Sequence, residues 1–277
     1  MSFTSNIVSG IFKKTKKAFK NKYRKIGLTW IQVRRLKNLP EKGRHKFQFL
    51  DGMIHFINRY EFLKSVDEIF IKEIYKTSFD SPNPLILDCG ANIGLSVLYF
   101  KKLSPGSTII AFEPDETNYN LLRSNIASMK LSNVDIRKEA VWIEDTTLQF
   151  IEEGTMCSRI ESPLKVAENK NGPTKSIKAV RLKSLLTDKI DFLKIDIEGA
   201  EYEVLLDIQD KLHMVEQLFI EYHGLFEENA KLETMLSILT KNHFKYYLES
   251  VPVYDTPFSR KKNGLFDVQQ NIYAFRS

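Results

Sequence analysis

The sequence of 277 residues is long enough for one large domain with an extension, and an apolar content of 43% allows a sizeable core. Cys89 and Cys157 do not form a C-x-x-C pair, which excludes a disulfide framework and predicts a reducing compartment. No stretch approaches about 18 consecutive apolar residues, and no signal peptide is evident, so we expect a cytoplasmic protein without a transmembrane helix.

The positive charge of the chain is concentrated at its N-terminus. Residues 1–46 contain 14 Lys and Arg residues and one acidic residue, Glu41, for a net charge of +13. The rest of the chain contains 27 basic and 34 acidic residues, for a net charge of −7. An acidic body argues against a broad nucleic-acid-binding face on it. We therefore predict a basic N-terminal extension over residues 1–46 and a main domain over residues 47–277.

Residues 5–37 carry apolar side chains at helical spacing, with lysines and arginines at the remaining positions. The pattern predicts a basic amphipathic helix that is broken near Gly27. Such a helix can pack on the main domain with its charged side in solvent, or remain a partly disordered arm. It also fits an anionic surface, here the inner face of the membrane. A phosphate-binding arm for nucleic acid is the third interpretation.

A hairpin and a helix are predicted after the extension. Phe47–Leu50 and Met53–Ile57 flank Asp51-Gly52, a dipeptide that favours a type I′ turn. Val66 to Lys76 then has helical periodicity, and a breaker-rich link from Asp80 to Pro84 leads to the next strand.

A glycine-containing loop joins the first buried strand to a long helix. Leu85–Leu87 is an apolar run, Asp88 follows it, and the loop contains Gly90, Asn92 and Gly94. The glycines allow a sharp bend close to a ligand, and Asn92 tolerates a left-handed conformation. Free amide groups at the start of the helix suit an anionic group such as a carboxylate.

The loop does not fit two common nucleotide motifs. A dinucleotide fingerprint that begins at Gly90 would need glycine in place of Asn92 and glycine or alanine in place of Leu95. A P-loop would need Gly-Lys-Ser or Gly-Lys-Thr, which the sequence lacks here. An ordinary strand-to-helix turn remains the alternative to a ligand site.

A second strand places an acidic residue at its end. Thr108–Glu113 is rich in β-formers, and Glu113 lies 25 residues after Asp88. This is about the spacing of an acid that accepts hydrogen bonds from ribose hydroxyls. A carboxylate suits two neighbouring hydroxyls because each oxygen accepts one bond. Together with the glycine loop, Glu113 predicts a nucleoside site.

Helical and strand patterns alternate along the rest of the chain. Helices are predicted over 95–103, Glu116–Met129, Ala200–Leu212 and Lys231–Lys241. Strands are predicted over Val134–Val141, Thr147–Ile151, Ile177–Arg181, Ile190–Ile197, Gln217–Tyr222, Phe244–Leu248 and Ile272–Phe275. The polar stretch Glu152–Ser176 is typical of a lid, a substrate loop or a disordered segment. The alternation predicts an α/β fold with a mostly parallel sheet that is covered on both faces.

Polar residues lie at the carboxyl ends of three later strands, the edge at which such sheets bind ligands. Ala140 lies at the end of the third strand, where we expect the adenine. Asp196 and Glu198 follow the fourth strand, and Glu221 and His223 follow the fifth. Each of these two pairs shares a face because strand side chains alternate.

The sequence Ile190-Asp-Phe-Leu-Lys-Ile-Asp-Ile-Glu-Gly-Ala-Glu201 resembles the signature of the FkbM family of S-adenosylmethionine (SAM) methyltransferases. Asp88-Cys-Gly-Ala-Asn-Ile-Gly94, Ala111-Phe-Glu-Pro114 with Asn125, and Ile220-Glu-Tyr-His223 resemble further segments of that family. The resemblance covers roughly residues 66–275 and does not reach the basic extension.

The resemblance implies a seven-stranded, doubly wound Rossmann-like sheet whose last strand is antiparallel. It implies SAM-dependent O-methylation of hydroxyls, often on sugars or secondary metabolites. The family does not fix the substrate, and our own expectation is a small-molecule or glycan acceptor, with a sugar or cell-envelope polysaccharide favoured. The residues that would line SAM are Asp88, Gly90, Asn92, Gly94 and Ala140. Glu113 would hold the ribose, and Asp196 would lie beside the sulfonium end.

A hydroxyl is a poor nucleophile while it is protonated, so a positioned base should assist the reaction. The candidates are His223, Asp196 and Glu198, and His223 comes first because its ordinary pKa suits the task best. Alternatively, Asp196, Glu198 and Glu221 could hold Mg²⁺, which would lower the pKa of the acceptor directly.

Three other functions compete with this one. A nucleic-acid methyltransferase could use the basic extension, but the chain has no Asn-Pro-Pro-Tyr or Pro-Cys motif for a base. A non-catalytic, membrane-associated SAM-binding protein is disfavoured by the intact Asp88 loop, Glu113, Asp196 and His223. A dinucleotide oxidoreductase is the most distant alternative.

Overall fold

A computed structural model of the chain describes residues 22–151, 174–253 and 265–276. The first part of the predicted amphipathic helix and most of the predicted lid therefore lie outside the described residues. The chain divides into two compact units, Met1–Ile74 and Tyr75–Ser277. This division falls after Ile74 rather than after residue 46, and the assignment of residues 47–277 to the methyltransferase domain stays a prediction.

No helix in the described part of the chain is both long and apolar enough to span a bilayer.

The described part of the first unit holds short helices and one hairpin. Its elements are a 3₁₀-helix Lys22–Ile26, α1 Trp30–Lys37, β1 Lys42–Phe49, β2 Gly52–Asn58, α2 Arg59–Val66 and a π-helix Asp67–Lys72. Gly27, at φ 79°, separates the 3₁₀-helix from α1, which confirms the predicted break. The 3₁₀-helix packs against the π-helix, so these residues are part of the compact unit rather than a free arm.

The hairpin of the first unit is confirmed, but its turn lies one residue earlier than predicted. Phe49 pairs with Gly52, so the two connecting residues are Leu50 and Asp51, and Leu50 takes the left-handed φ of 49°. The predicted helix Val66–Lys76 begins earlier, at Arg59, and ends as the π-helix at Lys72. Asn58 caps this helix by accepting from the Tyr60 and Glu61 backbone N–H groups.

The second unit is built on the predicted seven-stranded sheet. Its strands are β3 Leu85–Cys89, β4 Thr108–Phe112, β5 Val134–Arg137, β9 Ile190–Ile195, β10 Val215–Gly224, β11 Lys245–Ser250 and β12 Val268–Phe275. Their order is β11-β12-β10-β9-β3-β4-β5. Only β12 among them runs antiparallel to its neighbours, β10 and β11, which confirms the predicted fold class. Consecutive residues of β3 and β9 are buried, so both faces of the sheet centre are covered.

The helices of the second unit connect these strands. They are α3 Leu95–Leu103, α4 Glu116–Ser128, α5 Leu182–Leu185, α6 Glu201–Asp207 and α7 Asn229–Lys241, with 3₁₀-helices at Gln209–Met214 and Phe226–Glu228. The first two begin and end close to their predicted positions. The predicted helix Ala200–Leu212 is α6 followed by a 3₁₀-helix.

The predicted third strand, Val134–Val141, is two strands in two sheets. β5 ends at Arg137, and the chain leaves the main sheet before β6 Ala140–Trp142, which pairs with β8 Thr174–Arg181. With β7 Thr146–Ile151, these strands form a sheet of order β6-β8-β7. The strand-like pattern of Val134–Val141 did not reveal that the chain changes from one sheet to the other, because β5 and β6 are both compatible with that pattern.

Candidate active site

A pocket lies at the carboxyl ends of β3, β4 and β9 and beside β6. It is lined by Gly90, Asn92, Phe112, Glu113, Pro114, Asp115, Asn118, Glu139, Ala140, Val141, Asp196, Ile197 and Glu198. Six of the nine predicted site residues are in this lining, from four separate segments of the sequence. The other three, Asp88, Gly94 and His223, are not among the lining residues.

The glycine loop has the backbone that its sequence predicts. Gly90 and Gly94 have φ values of 90° and 91°, and Asn92 is left-handed at 48°. Asn92 supports its own turn by accepting a hydrogen bond from the Ile93 N–H at 2.7 Å. A Cβ on Gly94 would lie 2.6 Å from Leu122 Cδ1 in α4. Gly90 therefore brings backbone without a side chain to the wall of the pocket, and Gly94 allows the loop to pack closely on α4.

Glu113 is a buried carboxylate that belongs to both the pocket and the glycine loop. It accepts hydrogen bonds from the Asn92 N–H at 2.8 Å and from the Asp115 N–H at 2.9 Å. Burial raises the pKa of Glu113 to about 8, and the two N–H groups oppose this shift only in part. Each carboxylate oxygen keeps a second acceptor position, so the group can still receive a hydroxyl.

A buried lysine that the sequence analysis did not single out connects two of the predicted residues. Lys194 Nζ lies 3.3 Å from Asp88 Oδ1 and 3.2 Å from Asp196 Oδ2, and it donates to the Gly90 carbonyl at 2.8 Å. Burial alone would lower the pKa of Lys194, yet Asp196 and Asp88 hold it well above its ordinary value. The sequence did contain a signal for this contact: Lys194 lies two residues before Asp196, so the two side chains are expected on the same face.

Asp88 is placed behind the loop rather than in the pocket wall. Its side chain is fully buried, and it accepts a hydrogen bond from Ser96 Oγ at 2.5 Å in addition to its contact with Lys194. A buried ion pair with further hydrogen bonds holds its groups in a defined geometry. Asp88 can therefore fix the loop that lines the pocket without touching a ligand itself.

His223 lies within β10, which is longer than predicted, and it is buried. Its Nδ1 is 3.1 Å from Glu201 Oε1, and its Nε2 is 3.8 Å from Glu198 Oε2 and 3.9 Å from Glu221 Oε1. Burial lowers the pKa of His223, but Glu201, Glu198 and Asp196 raise it more, to about 10. The ring therefore holds its proton more strongly than an ordinary histidine, and it must lose a proton before it can act as a base.

The described residues do not fit the predicted Mg²⁺ site. Asp196, Glu198 and His223 each bring one ligand-type atom within 4.8 Å of the others, so His223 takes the place predicted for Glu221. Mg²⁺ prefers oxygen ligands, and the third member of this group is an imidazole nitrogen. No step of the reaction is therefore assigned to this ion.

The sequence matches a known family over most of the second unit. The family model described as "Methyltransferase FkbM domain" matches residues 88–246. That span contains the glycine loop, Glu113, Asp196 and His223.

Three similar proteins have names that concern methyl transfer. Methyltransferase 1 of Beauveria bassiana is 26% identical over 190 residues, which cover 61% of this chain and 76% of that protein. The 2-O-methyltransferase NoeI of Sinorhizobium fredii is 25% identical over 179 residues, which cover 58% of this chain and 72% of that protein. The 31-O-demethyl-FK506 methyltransferase FkbM of Streptomyces tacrolimicus is 25% identical over 203 residues, with 62% and 77% covered.

Proposed function

Because the chain belongs to the FkbM family of SAM-dependent methyltransferases, we propose that it methylates a hydroxyl oxygen of a small molecule or glycan. The names of two similar proteins, a 2-O-methyltransferase and a 31-O-demethyl-FK506 methyltransferase, support oxygen as the acceptor atom. Among such acceptors, a sugar or a cell-envelope polysaccharide is our first choice.

The observation that carries this proposal is the composition of one pocket. Gly90 and Glu113, suited to a nucleoside, share it with Asp196 and Glu198, which are suited to charge and proton handling. When bound, SAM supplies a methyl group that its sulfonium has already activated. The fit rests on the glycine cradle and on the buried carboxylate at the end of β4.

Five of the lining residues have a defined task in this proposal. Gly90 and Asn92 offer backbone to the cofactor, Glu113 accepts from the ribose hydroxyls, and Ala140 contacts the adenine. Asp196 offers a carboxylate to the cationic end. The protein thus mainly orients the reactants, because the donor is already activated.

We assign to His223 the role of the base that removes the proton of the acceptor hydroxyl. Its Nε2 lies 3.8 Å from Glu198, a residue of the pocket wall, so a proton taken from the acceptor hydroxyl would remain at the edge of the pocket. In its neutral form His223 would accept the hydroxyl proton at Nε2 as the oxygen bonds to the methyl carbon and the bond from that carbon to sulfur breaks, which would leave S-adenosylhomocysteine. Asp196 is the second choice for the base.

The test is SAM turnover with the full chain against glucose, galactose and mannose glycosides and against small polyols. We expect S-adenosylhomocysteine and an O-methylated product from at least one hydroxyl compound. Methylation of RNA or DNA with no transfer to any hydroxyl compound would contradict the proposal.

We propose in addition that the first unit docks on an anionic lipid surface. On α1, Trp30 and Ile31 are 50% and 58% exposed, and they lie beside the exposed Arg34 and Arg35. Apolar and basic side chains on one helix suit the boundary between headgroups and acyl chains. The net charge of +13 over residues 1–46 would add electrostatic attraction to anionic lipids.

A further inference from the structure

The turn after β9 is held by a buried carboxylate. Glu201, at the start of α6, is fully buried and accepts from the Ile197 N–H at 3.1 Å and from the Gly199 N–H at 3.0 Å. The turn itself has two left-handed residues, Glu198 at φ 56° and Gly199 at φ 103°. A strained turn of this kind persists only when its surroundings determine it, and Glu201 supplies that support.

The same carboxylate orients His223. Backbone N–H groups of Ile197, Gly199 and His223 are directed at both oxygens of Glu201, so the group acts as an acceptor. Its Oε1 lies 3.1 Å from His223 Nδ1, which must therefore carry the proton between them. Nε2 is then the ring nitrogen that can be free of a proton.

The groups around Nε2 show where that nitrogen is directed. Glu198 Oε2 and Glu221 Oε1 lie at 3.8 and 3.9 Å, and Gln269 Nε2 lies at 3.4 Å. The ring of Phe266 covers one side, with centroids 4.9 Å apart. The histidine is thus fixed from Nδ1 and from its face, while Nε2 is turned toward a residue of the pocket wall.

We propose that Glu201 is a positioning residue for methyl transfer: it holds the proton of His223 on Nδ1, directs Nε2 toward Glu198, and ties this orientation to the turn that carries Glu198. This inference rests on the proposed role of His223 as the base. Glu201 does not touch the reactants, and its effect passes through the histidine, as an acidic partner orients the histidine of a hydrolase triad.

The proposal is tested with Glu201→Gln, whose side chain has nearly the same size but can also donate to Nδ1 and so reverse the ring's preferred tautomer. The matched control is Glu203→Gln on the same helix, where the carboxylate instead accepts from Lys231 Nζ at 2.9 Å. Proton and nitrogen NMR of histidine-labelled protein reports the Nδ1 proton directly. Calorimetry reports SAM affinity, and turnover is measured with the glycoside that proves to be the best acceptor.

In the wild-type protein and in Glu203→Gln we expect a strongly downfield, slowly exchanging Nδ1 proton that is absent from His223→Ala. Glu201→Gln should lose it. The kcat of Glu201→Gln should fall about 10- to 10⁴-fold, a range whose lower part is typical for the partner of a metal-bound histidine and whose upper end is that of a hydrolase triad. Its SAM affinity and its KM for the acceptor should stay within about twofold, a split that loss of structure alone would not give.

Two results would overturn the inference. One is a wild-type spectrum without the Nδ1 proton, which is decisive even if Glu201→Gln does not fold. The other is a folded Glu201→Gln with wild-type kcat. Both differ from a failure of the proposed function, which would appear as a wild-type protein that binds no SAM or methylates no hydroxyl compound.

Discussion

A Cβ on Gly90 would lie 1.8 Å from the backbone carbonyl oxygen of Asp196. The glycine loop and the end of β9 approach this closely because residue 90 has no side chain. The Asp196 N–H also donates to the Cys89 carbonyl at 3.1 Å, which fixes the same approach from the other direction. The glycine loop and the candidate catalytic residues that follow β9 are thus joined through backbone.

This contact predicts that Gly90→Ala is more damaging than Gly94→Ala. The two glycines have nearly equal φ values of 90° and 91°, so the backbone cost of alanine, about 1–2 kcal/mol, should be similar. The new methyl group meets a backbone carbonyl at residue 90 but the end of the Leu122 side chain at residue 94. We expect an additional loss of about 1–3 kcal/mol for Gly90→Ala in urea unfolding. Equal losses would show that the close approach is not limiting.

Removing the carboxylate of Glu113 should weaken SAM binding. The loss of a buried hydrogen-bonding group typically costs about 1–3 kcal/mol, and about 1.4 kcal/mol corresponds to a tenfold change in Kd. Calorimetric titration of the wild type and of Glu113→Ala with SAM measures this change in Kd. NAD should bind neither of these two proteins. Glu233→Ala, at an exposed position on α7, is the control. SAM affinity unaffected by Glu113→Ala would remove the ribose role from this residue.

Glu113 should also make stability depend on pH. Its pKa is raised from 4.5 to about 8 in the folded protein, so the folded state retains a proton that the unfolded state has lost between these values. The contribution of Glu113 to stability should therefore be greatest below about pH 4.5 and should fall by up to a few kcal/mol as the pH rises to 8. Glu113→Gln should lack this fall, whereas Glu233→Gln should retain it. If the free energy of unfolding of the wild type and of Glu113→Gln changed equally with pH across this range, the raised pKa would be contradicted.

If His223 is the base, the reaction should accelerate at higher pH than the sequence alone suggested. An ordinary histidine predicts a rise through roughly pH 6–7. With the His223 pKa raised to about 10, the neutral fraction and the rate should keep increasing toward that value. His223→Ala should lose the rise and about 10²–10⁴ in kcat, with little change in SAM affinity.

Two controls separate the alternatives for this step. Asp196→Asn should weaken SAM binding as well as turnover, because its carboxylate lines the cofactor pocket. EDTA should have no effect, since the residues do not fit Mg²⁺. Full activity of His223→Ala would leave Asp196 or Glu198 as the base, and inactivation by EDTA with rescue by Mg²⁺ would restore the metal mechanism.

Binding of the first unit to anionic lipid is best tested by charge reversal. A chain that began at Phe47 would lose more than half of β1, the strand Lys42–Phe49 that pairs with β2 from Lys42 onward. Arg34→Glu/Arg35→Glu leaves the hairpin intact and should reduce sedimentation with anionic liposomes at low salt, because each basic residue contributes about 1 kcal/mol near such a surface. Lys241→Glu/Lys245→Glu is the matched control in the second unit. If the wild type does not sediment with the liposomes, or if the variant with changes in α1 and the control variant sediment equally, the lipid surface is not the partner.

The sequence allowed the glycine loop and the acid that follows it to be predicted, because both depend on local signals. Gly90, Asn92 and Glu113 are each specified by a turn or a strand end within a few residues. The helix after the loop and the antiparallel last strand also match expectation, the latter through the family resemblance.

The features that were missed depend on which strands lie side by side. Lys194 reads as one charge in an apolar strand, and only the sheet order places it between Asp88 and Asp196. Glu201 and His223 are 22 residues apart, and their contact exists because β9 and β10 are parallel neighbours. A sequence pattern of period two gives the face of a strand but not its neighbour.

The position of β12 has a consequence for the synthesis of this protein. β12 lies between β10 and β11, although both precede it in the chain, and it places Gln269 opposite His223. Until Val268–Phe275 has left the ribosome, β11 has no neighbour in the sheet and β10 presents an open edge. Nascent chains extend at about 5–20 residues per second, so this edge is available to other chains for seconds or longer when translation pauses late. In the folded protein this edge of β10 is paired with β12. A chaperone that binds the edge during synthesis would therefore raise the yield of folded protein without binding the folded enzyme.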